Sequence, residues 1–436
     1  MCSPARSTLF SGYFPAQHGV KYTLEEEMTD PVKNPQVELP VGLKNAASVM
    51  SAAGYNVVYK GKWHCSKPAG SEFTPADLEK YGFERWNPPD AGANQDVSQA
   101  GGGSTNNDGR YMDHFGDAAS GDEGVLPYLG SVAATQQPFF LVVSLVNPHD
   151  VLFYPRTYRQ GDTGYDRSWL QGPIGLPATV NESLRTKPRV QREFRRIFNL
   201  SGYPRTPREK RNYLNFYGNL IRSSDSYLVQ ILDVLTANGL LDNTLLIKTA
   251  DHGEMGLAHG GLRQKNFNFY EESLRVPLVY SNPVLFPRPQ ATKALVSHVD
   301  FLPTLASIAG APAAARADWQ GVDYSHLLDN PRSRKRQHYV VFTYDDFQSG
   351  QEKGPYPKPP NHMVSIRERR WKLAKYYDPK GKARPEWEMY DLKSDRLERK
   401  NLARPRYKRT VEQQRQFERL KRKLARVERT RLRPLS

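Results

Sequence analysis

Short apolar runs alternate with longer amphipathic stretches over the first three quarters of the chain. The apolar runs predict strands at residues 55–59, 139–146, 245–250 and 276–280. The second run is long enough for a strand that is buried on both faces. A helical period of apolar residues predicts helices at 41–53, 207–239 and 299–309. This alternation predicts an α/β fold with a mixed, largely parallel sheet sandwiched by helices.

The pattern changes past about residue 330. Alternating apolar and polar positions there predict the strands of a smaller antiparallel sheet at 339–344, 371–377 and 387–392. An apolar stripe near the end predicts an amphipathic helix that docks onto the body, through Phe417, Leu420, Leu424 and Val427. We therefore expect a large domain at 1–330, a small C-terminal α+β subdomain at 331–403 and a basic helical tail at 404–436.

Two segments interrupt the alternation. Residues 91–124 are rich in Gly, Asn, Asp and Ser and show no period, which predicts a long loop or insertion. Residues 185–211 carry ten Lys and Arg against two acidic residues and are interrupted by prolines. We interpret this second segment as a surface excursion that could line an entrance for anionic substrates.

The chain carries a net charge of +16, and much of this excess lies at its end. Residues 404–436 hold thirteen Lys and Arg against three Glu, so we expect no nucleic-acid partner for the body. No run approaches the roughly 20 apolar residues needed to span a bilayer. Two cysteines cannot form a disulfide framework, and Cys65 is expected to behave as a small apolar residue.

The first dozen residues predict a helix that begins beside a cysteine. Ser3 can cap the helix and Pro4 suits its first position. Cys2 would then lie where unpaired backbone amides and the positive end of the helix dipole stabilise negative charge, and Arg6 adds a cation. Without other motifs, an ordinary capped surface helix would explain this stretch equally well.

Polar clusters follow three of the predicted strands. Lys62 and His64 follow the first strand, His149 follows the second, and Asp251 and His252 follow the third. Each could be a solvated charge, a loop histidine or part of a turn. Ligands of open α/β sheets bind at the carboxyl ends of the strands, so together the clusters predict one crevice.

These motifs resemble those of the sulfatase family. Cys2-Ser3-Pro4-Ala5-Arg6 resembles the family signature, and further similar segments run to about residue 403. Those segments are Gly61-Lys62-Trp63-His64, Asn147-Pro148-His149, Thr249-Ala250-Asp251-His252-Gly253-Glu254 and the region around Lys265. The resemblance implies an alkaline-phosphatase-like fold and a hydrolase of small sulfate esters.

The resemblance also implies two cofactors. A formylglycine-generating enzyme would oxidise Cys2 to formylglycine, whose hydrate is the nucleophile. Asp251 and His252 would hold one divalent cation, with Ca²⁺ expected first and Mg²⁺ or Mn²⁺ left open because imidazole shifts the preference away from pure oxygen ligation.

Catalytic roles for six side chains follow by resemblance. Lys62 would bind sulfate and Arg6 would steady the group at position 2. Lys265 and His149 would stabilise or protonate the leaving oxygen, and His64 would assist the release of sulfate from Cys2.

One departure from the family pattern concerns the metal site. Family members open with a strand that ends in paired aspartates, and residue 1 of this sequence lies past that motif. We therefore expect an N-terminally truncated sulfatase whose metal cage is incomplete. Two alternatives remain open: a phosphonate monoester or phosphodiester hydrolase of the same superfamily, and an inactive sulfatase-like binding protein.

Overall fold

The computed structural model describes residues 1–28, 30, 32–114, 121–131, 138–159, 164–171 and 174–435. The strands are β1 Asn56–Gly61, β2 Phe139–Ser144, β3 Leu246–Thr249, β4 Leu278–Ser281, β5 Tyr339–Tyr344, β6 His362–Glu368, β7 Trp371–Tyr377 and β8 Glu386–Asp391. The helices of seven residues or more are α1 Cys2–Ser11, α2 Ala46–Ala52, α3 Asn107–Asp113, α4 Arg189–Phe198, α5 Pro207–Ala237, α6 Phe301–Ile308 and α7 Val411–Thr430.

Shorter helical turns connect these elements. The α-helical ones are Pro15–His18, Ala76–Glu79, Val125–Gly130, Arg156–Arg159, Ala258–Gly261, Glu271–Leu274 and His326–Asp329. The 3₁₀ turns are Val97–Gln99, His149–Phe153, Leu184–Thr186, Asn199–Ser201, Leu241–Asn243, His298–Asp300 and Ala313–Ala315.

The first four strands form two pairs. β1 and β2 are parallel, with Gly61 opposite Ser144, and β3 and β4 are antiparallel. The mixed α/β prediction is thus confirmed; β2 has apolar neighbours on both faces, as predicted, but its residues are less buried than expected. Every residue of β2 is only half-buried, because in the described part of the chain β2 is hydrogen-bonded along one edge alone.

Helices cover both faces of β2. Phe140 and Val142 point to one side and pack into the core that contains α2 and α6, and Ile247 of β3 joins the same core. Residues of the opposite parity, such as Leu141, pack with Ile231 and other residues of α5. Because side chains alternate along a strand, the strand presents an apolar set to each helical layer.

The C-terminal region forms a four-stranded antiparallel sheet in the order β5, β6, β7, β8. Helix α7 covers one face of this sheet, so the predicted docking of the tail helix is observed. The buried side chains of the helix are those of the predicted stripe, Phe417, Leu420, Leu424 and Val427. The sequence interpretation missed β6, while the limits at 330 and 403 stay predictions.

Two predicted helix starts are corrected. Helix α1 begins at Cys2, and Ser3 is not its cap, because the Ser3 hydroxyl instead accepts a hydrogen bond from the amide of Leu24 at 3.0 Å. Helix α2 begins at Ala46 rather than at residue 41. The side chain of Asn45 caps it by accepting the amides of the second and third helical residues.

Both interrupting segments contain helices that the sequence interpretation missed. Helix α3 lies within 91–124 and is capped by Asn106, whose side chain accepts the Gly109 amide at 3.2 Å; residues 115–120 of that segment lie outside the described residues. Helix α4 lies within 185–211 and buries Val190 and Phe194, which are one turn apart. Among the described helices, none is both long and apolar enough to cross a membrane.

Candidate active site

The beginning of α1 meets the carboxyl end of β3. The sulfur of Cys2 lies 3.2 Å from Nε2 of His252, and the guanidinium of Arg6 lies 3.8 Å from the carboxylate of Asp251. One ligand atom from each of Cys2, Asp251 and His252 lies within 4.8 Å of the others. The structure therefore brings the predicted nucleophile position and the predicted metal ligands into one cluster.

The surroundings of Cys2 favour its ionised form. Burial by itself would raise the pKa of the thiol, but the ammonium groups of Lys265 and Lys62 and the imidazole of His252 hold that pKa well below its ordinary value. The amides at the start of α1 contribute in the same direction. Position 2 is thus a place where negative charge is stabilised.

The ring of His252 is oriented by its own backbone neighbour. Nδ1 lies 2.8 Å from the carbonyl oxygen of Gly253, so it carries a proton, and Nε2 is directed towards Cys2 and Asp251. Gly253 permits this turn, because a Cβ there would lie 2.0 Å from the carbonyl oxygen of Glu272. Burial alone would raise the pKa of Asp251, yet the pKa is lowered by His252 and Arg6.

Arg6 connects the strand ends to one another. Its guanidinium donates hydrogen bonds to the Trp63 carbonyl at 2.7 Å, the Tyr59 hydroxyl at 2.8 Å, the Ser144 hydroxyl at 2.6 Å and the Lys62 carbonyl. With Asp251 on its remaining side, Arg6 contacts residues at or beside the ends of β1, β2 and β3. In this structure it holds the frame of the site, and the expected contact with the group at position 2 stays a prediction.

The side chains of Lys62 and His149 both lie close to the backbone of Gly92. The ammonium of Lys62 donates to the carbonyl of Gly92 at 2.7 Å. Gly92 has a φ of +74°, and a Cβ there would lie 3.1 Å from Nζ of Lys62 and 3.5 Å from Cε1 of His149. The backbone at Gly92 can therefore approach both side chains only because it has no side chain of its own.

His64 is held in a strained backbone conformation, with a φ of +55°. Its amide donates to the carboxylate of Asp90 at 2.7 Å, and its Nε2 contacts the carbonyl oxygen of Leu24. Nδ1 is buried and has no hydrogen-bond partner in the described part of the chain. Nδ1 is thus the atom of His64 that remains available to a bound group.

Lys265 lies on the segment that follows the metal motif. Its side chain is buried, and Nζ donates to the side-chain oxygen of Gln264 at 3.2 Å. Among the groups that lower the pKa of Cys2, the ammonium of Lys265 has the largest effect. Lys265 and Lys62 therefore act on the same cluster, although they are far apart in the sequence.

The sequence interpretation missed three buried carboxylates that hold these segments in place. Asp90 accepts the amides of Trp63 and His64, and Asp108 accepts those of Val146 and Asn147. Asp150 accepts the amides of two glycines in the segment that precedes α3. Only Asp150 had a local signal, since it directly follows His149 in the sequence.

The chemistry of the cluster fits a divalent cation. Asp251 offers a carboxylate oxygen, His252 offers Nε2, and position 2 offers a third ligand atom. Hard cations such as Ca²⁺ take six to eight ligands, so these three supply only part of a coordination shell.

A second cluster of this kind does not fit a metal as well. It joins His259, Glu272 and Glu398, but the ammonium of Lys372 lies 2.7 Å from Glu398. The positive charge of the lysine already balances that carboxylate, and we interpret the cluster as a set of buried ion pairs.

Comparison with known proteins agrees with this architecture. A 2-O GAG sulfatase has a similar structure, with a TM-score of 0.71 at 22% identity over 99% of this chain and 82% of that one. The phosphonate monoester hydrolase of Agrobacterium radiobacter gives a TM-score of 0.65 at 20% identity, over 99% of this chain and 86% of that one. The fold is therefore the alkaline-phosphatase-like α/β fold.

Sequence comparison gives the family. The sulfatase family profile matches residues 1–311, and the profile of the N-sulphoglucosamine sulphohydrolase C-terminal region matches residues 259–429. This chain belongs to the sulfatase family, whose members generally use a formylglycine and a divalent cation.

Two relatives show the range of the similarity. The Delta 4,5-hexuronate-2-O-sulfatase of Bacteroides thetaiotaomicron is 26% identical over 95% of this chain and 77% of its own length. An ulvan-active sulfatase of Formosa agariphila is 24% identical over 82% of this chain, which spans only 61% of that enzyme.

Proposed function

We propose that this protein hydrolyses sulfate esters, with a formylglycine made from Cys2 as the nucleophile. The observation that carries the proposal is the position of the Cys2 sulfur, 3.2 Å from His252 and beside Asp251 at the start of α1. The cations of Lys62 and Lys265 stabilise negative charge at the same point. A sulfate ester is an anion, so this combination of charge and nucleophile suits it.

Each polar side chain has a part in this reaction. Lys62 would bind the sulfate oxygens, and Lys265 and His149 would stabilise or protonate the leaving oxygen. Arg6 holds the strand ends at fixed positions, so the reacting groups need no rearrangement. His64, through its unpartnered Nδ1, would accept a proton when sulfate is released.

Asp251 and His252 would hold the divalent cation, which would polarise the sulfate oxygens when bound. Calcium is our first candidate, with magnesium and manganese as alternatives. The earlier expectation of a further strand that supplies more carboxylates stays a prediction. The unpaired edges of β2 and β3 in the described residues are compatible with it.

For the natural substrate we propose a sulfated carbohydrate. The support comes from the relatives, which include a hexuronate-2-O-sulfatase and an ulvan-active sulfatase.

The test uses the full-length gene product, co-produced with a formylglycine-generating enzyme. Peptide mass spectrometry of the segment around Cys2 should show the aldehyde, and the protein should hydrolyse 4-nitrophenyl sulfate. Cys2→Ala should abolish turnover while Cys65→Ala, which changes the other cysteine, should leave it unchanged. A chelator should remove activity, and calcium, magnesium and manganese are then added back separately.

Two outcomes would overturn the proposal. Only unmodified thiol at position 2, with no turnover of any ester, would favour the inactive binding protein. Faster hydrolysis of an aryl phosphonate monoester than of the aryl sulfate would favour the phosphonate hydrolase, whose fold this chain shares.

A further inference from the structure

Asp150 is a buried carboxylate directly beside the imidazole of His149. Its Oδ1 lies 3.5 Å from Nδ1 of His149, which is within ion-pair distance, and Nδ1 has no hydrogen-bond partner in the described part of the chain; Asp150 itself has no exposed surface. Three donors fix the carboxylate: the amides of Gly101 and Gly102, at 3.2 and 2.9 Å, and the hydroxyl of Tyr165, at 2.8 Å. The carboxylate therefore has a defined position before any ligand binds.

The charges around His149 oppose one another. The pKa of His149 is lowered overall, because burial and then the ammonium of Lys62 outweigh Asp150 and Cys2, which act to raise it. Burial alone would raise the pKa of Asp150, but His149, Tyr165 and Gly102 keep it lowered, so the carboxylate is ionised. Without this anion, a buried imidazole beside a lysine would hold a proton poorly.

We propose that Asp150 is a positioning residue that fixes Nδ1 of His149 and lets Nε2 protonate the leaving alcohol of the substrate. The inference rests on the proposed function. As an oxygen of the hydrated formylglycine at position 2 forms a bond to sulfur, the sulfur–oxygen ester bond breaks, and its electron pair stays on the alcohol oxygen, which takes the proton from Nε2. His149 is then neutral, keeps its Nδ1 proton towards Asp150, and regains the lost proton from solvent.

This role of Asp150 predicts which substrates depend on it for turnover. An alkoxide is a strong base and leaves only when it is protonated, whereas 4-nitrophenolate is a stable anion that leaves without a proton. Loss of Asp150 should therefore affect alkyl and sugar sulfates much more than 4-nitrophenyl sulfate. A role limited to building the loop around Gly101 would affect both substrates equally.

Asp150→Asn tests this distinction, because it removes the charge but keeps the size of the side chain. Its kcat should fall at least about 100-fold on an alkyl sulfate and less than about 5-fold on 4-nitrophenyl sulfate. Tyr165→Phe is the matched control, since it removes one hydrogen bond from the same carboxylate without changing charge. That variant should reduce turnover of both substrates by similar, small factors.

Two further measurements keep the test decisive. In a His149→Ala background, Asp150→Asn should cause no additional loss on the alkyl sulfate, since its effect passes through the imidazole. NMR titration of labelled histidine should show a lower pKa for His149 in Asp150→Asn than in the parent protein. Peptide mass spectrometry confirms equal formylglycine content in all variants.

The two proposals fail in different ways. A parent protein that is inactive on both sulfates counts against the proposed function. An active parent in which Asp150→Asn lowers kcat equally on both substrates, or leaves the pKa of His149 unchanged, overturns the role of Asp150 alone. If Asp150→Asn does not fold, Asp150→Glu is used, and unequal losses on the two substrates are again required.

Discussion

The sulfur of Cys2 and Nε2 of His252 are 3.2 Å apart although 250 positions separate them in the sequence. The contact joins the start of α1 to the end of β3. The ring of His252 is oriented there because its other nitrogen is bonded to a backbone carbonyl. This one contact places the residue that we propose to be modified beside a proposed metal ligand.

The first prediction concerns the ionisation of Cys2 in metal-free protein made without the maturation enzyme. Cys2 should be a thiolate at pH 7, because Lys265, Lys62 and His252 outweigh burial in setting its pKa. Burial raises the pKa of Cys65 to about 12, so Cys65 should stay protonated. Absorbance at 240 nm in Cys65→Ala and Cys2→Ala variants separates the two, and equal absorbance would contradict the prediction.

The second prediction concerns Gly92. Gly92→Ala should lower sulfatase turnover at least about tenfold, because the new Cβ would lie 2.9 Å from Cγ1 of Val146 and 3.1 Å from Nζ of Lys62, and because alanine is strained at a φ of +74°. Gly70→Ala is the control, since no atom lies within 4 Å of a Cβ at that position. Steady-state kinetics on 4-nitrophenyl sulfate measures both variants, and equal turnover would show that the site tolerates the displacement.

The third prediction concerns stability in acid. His18 is buried, its Nδ1 accepts the amide of Val20 at 3.1 Å, and burial lowers its pKa to about 3. In the unfolded chain His18 takes up a proton near its ordinary pKa of 6.5, whereas in the folded chain it does so only near pH 3. The stabilisation that comes from keeping His18 neutral is therefore complete above about pH 6.5 and is lost as the pH falls towards 3. Between pH 6.5 and 5 this group should cost about 2 kcal/mol.

Chemical denaturation at pH 7 and pH 5 tests this prediction with His18→Gln as the comparison. The variant cannot take up the proton, so its stability should change less between the two pH values. Parallel losses in both proteins would assign the acid sensitivity to other groups.

The fourth prediction concerns the basic helix α4. Phe194 of α4 lies with its ring centroid 5.3 Å from that of Phe267, two residues past Lys265, and Arg192 and Arg196 are exposed on the face of the helix opposite to Phe194. If this face receives anionic substrates, Arg192→Gln with Arg196→Gln should raise the inhibition constant of dextran sulfate at least about threefold at low salt. Arg422→Gln with Arg426→Gln changes the same charge on α7 and should leave that constant unchanged.

Local patterns predicted the elements of this fold well where tertiary context adds little. Strand β5 and the apolar stripe of α7 were predicted in place, because alternation and helical period are properties of neighbouring residues. The start of α1 was predicted wrongly at Ser3, because the hydroxyl is bonded to Leu24, which no local pattern reveals. The same limit applies to β2, whose burial depends on which strands lie beside it.

The residues of the candidate site likewise fall into two groups, those that the local sequence reveals and those that it does not. Its charged residues could be found from their positions after strands, and Cys2 from the motif that surrounds it. The functions of Asp90 and Asp108 could not, because each binds amides of residues at least 26 positions away along the chain. The orientation of Arg6 likewise depends on carbonyl and hydroxyl groups from several separate segments.

Those bonds of Arg6 involve no atom of residue 2. Conversion of the thiol at position 2 to an aldehyde would therefore leave the hydrogen bonds of Arg6, and the strand ends that they hold, unchanged. The reactive group and the frame that holds the strand ends are thus separate parts of the site.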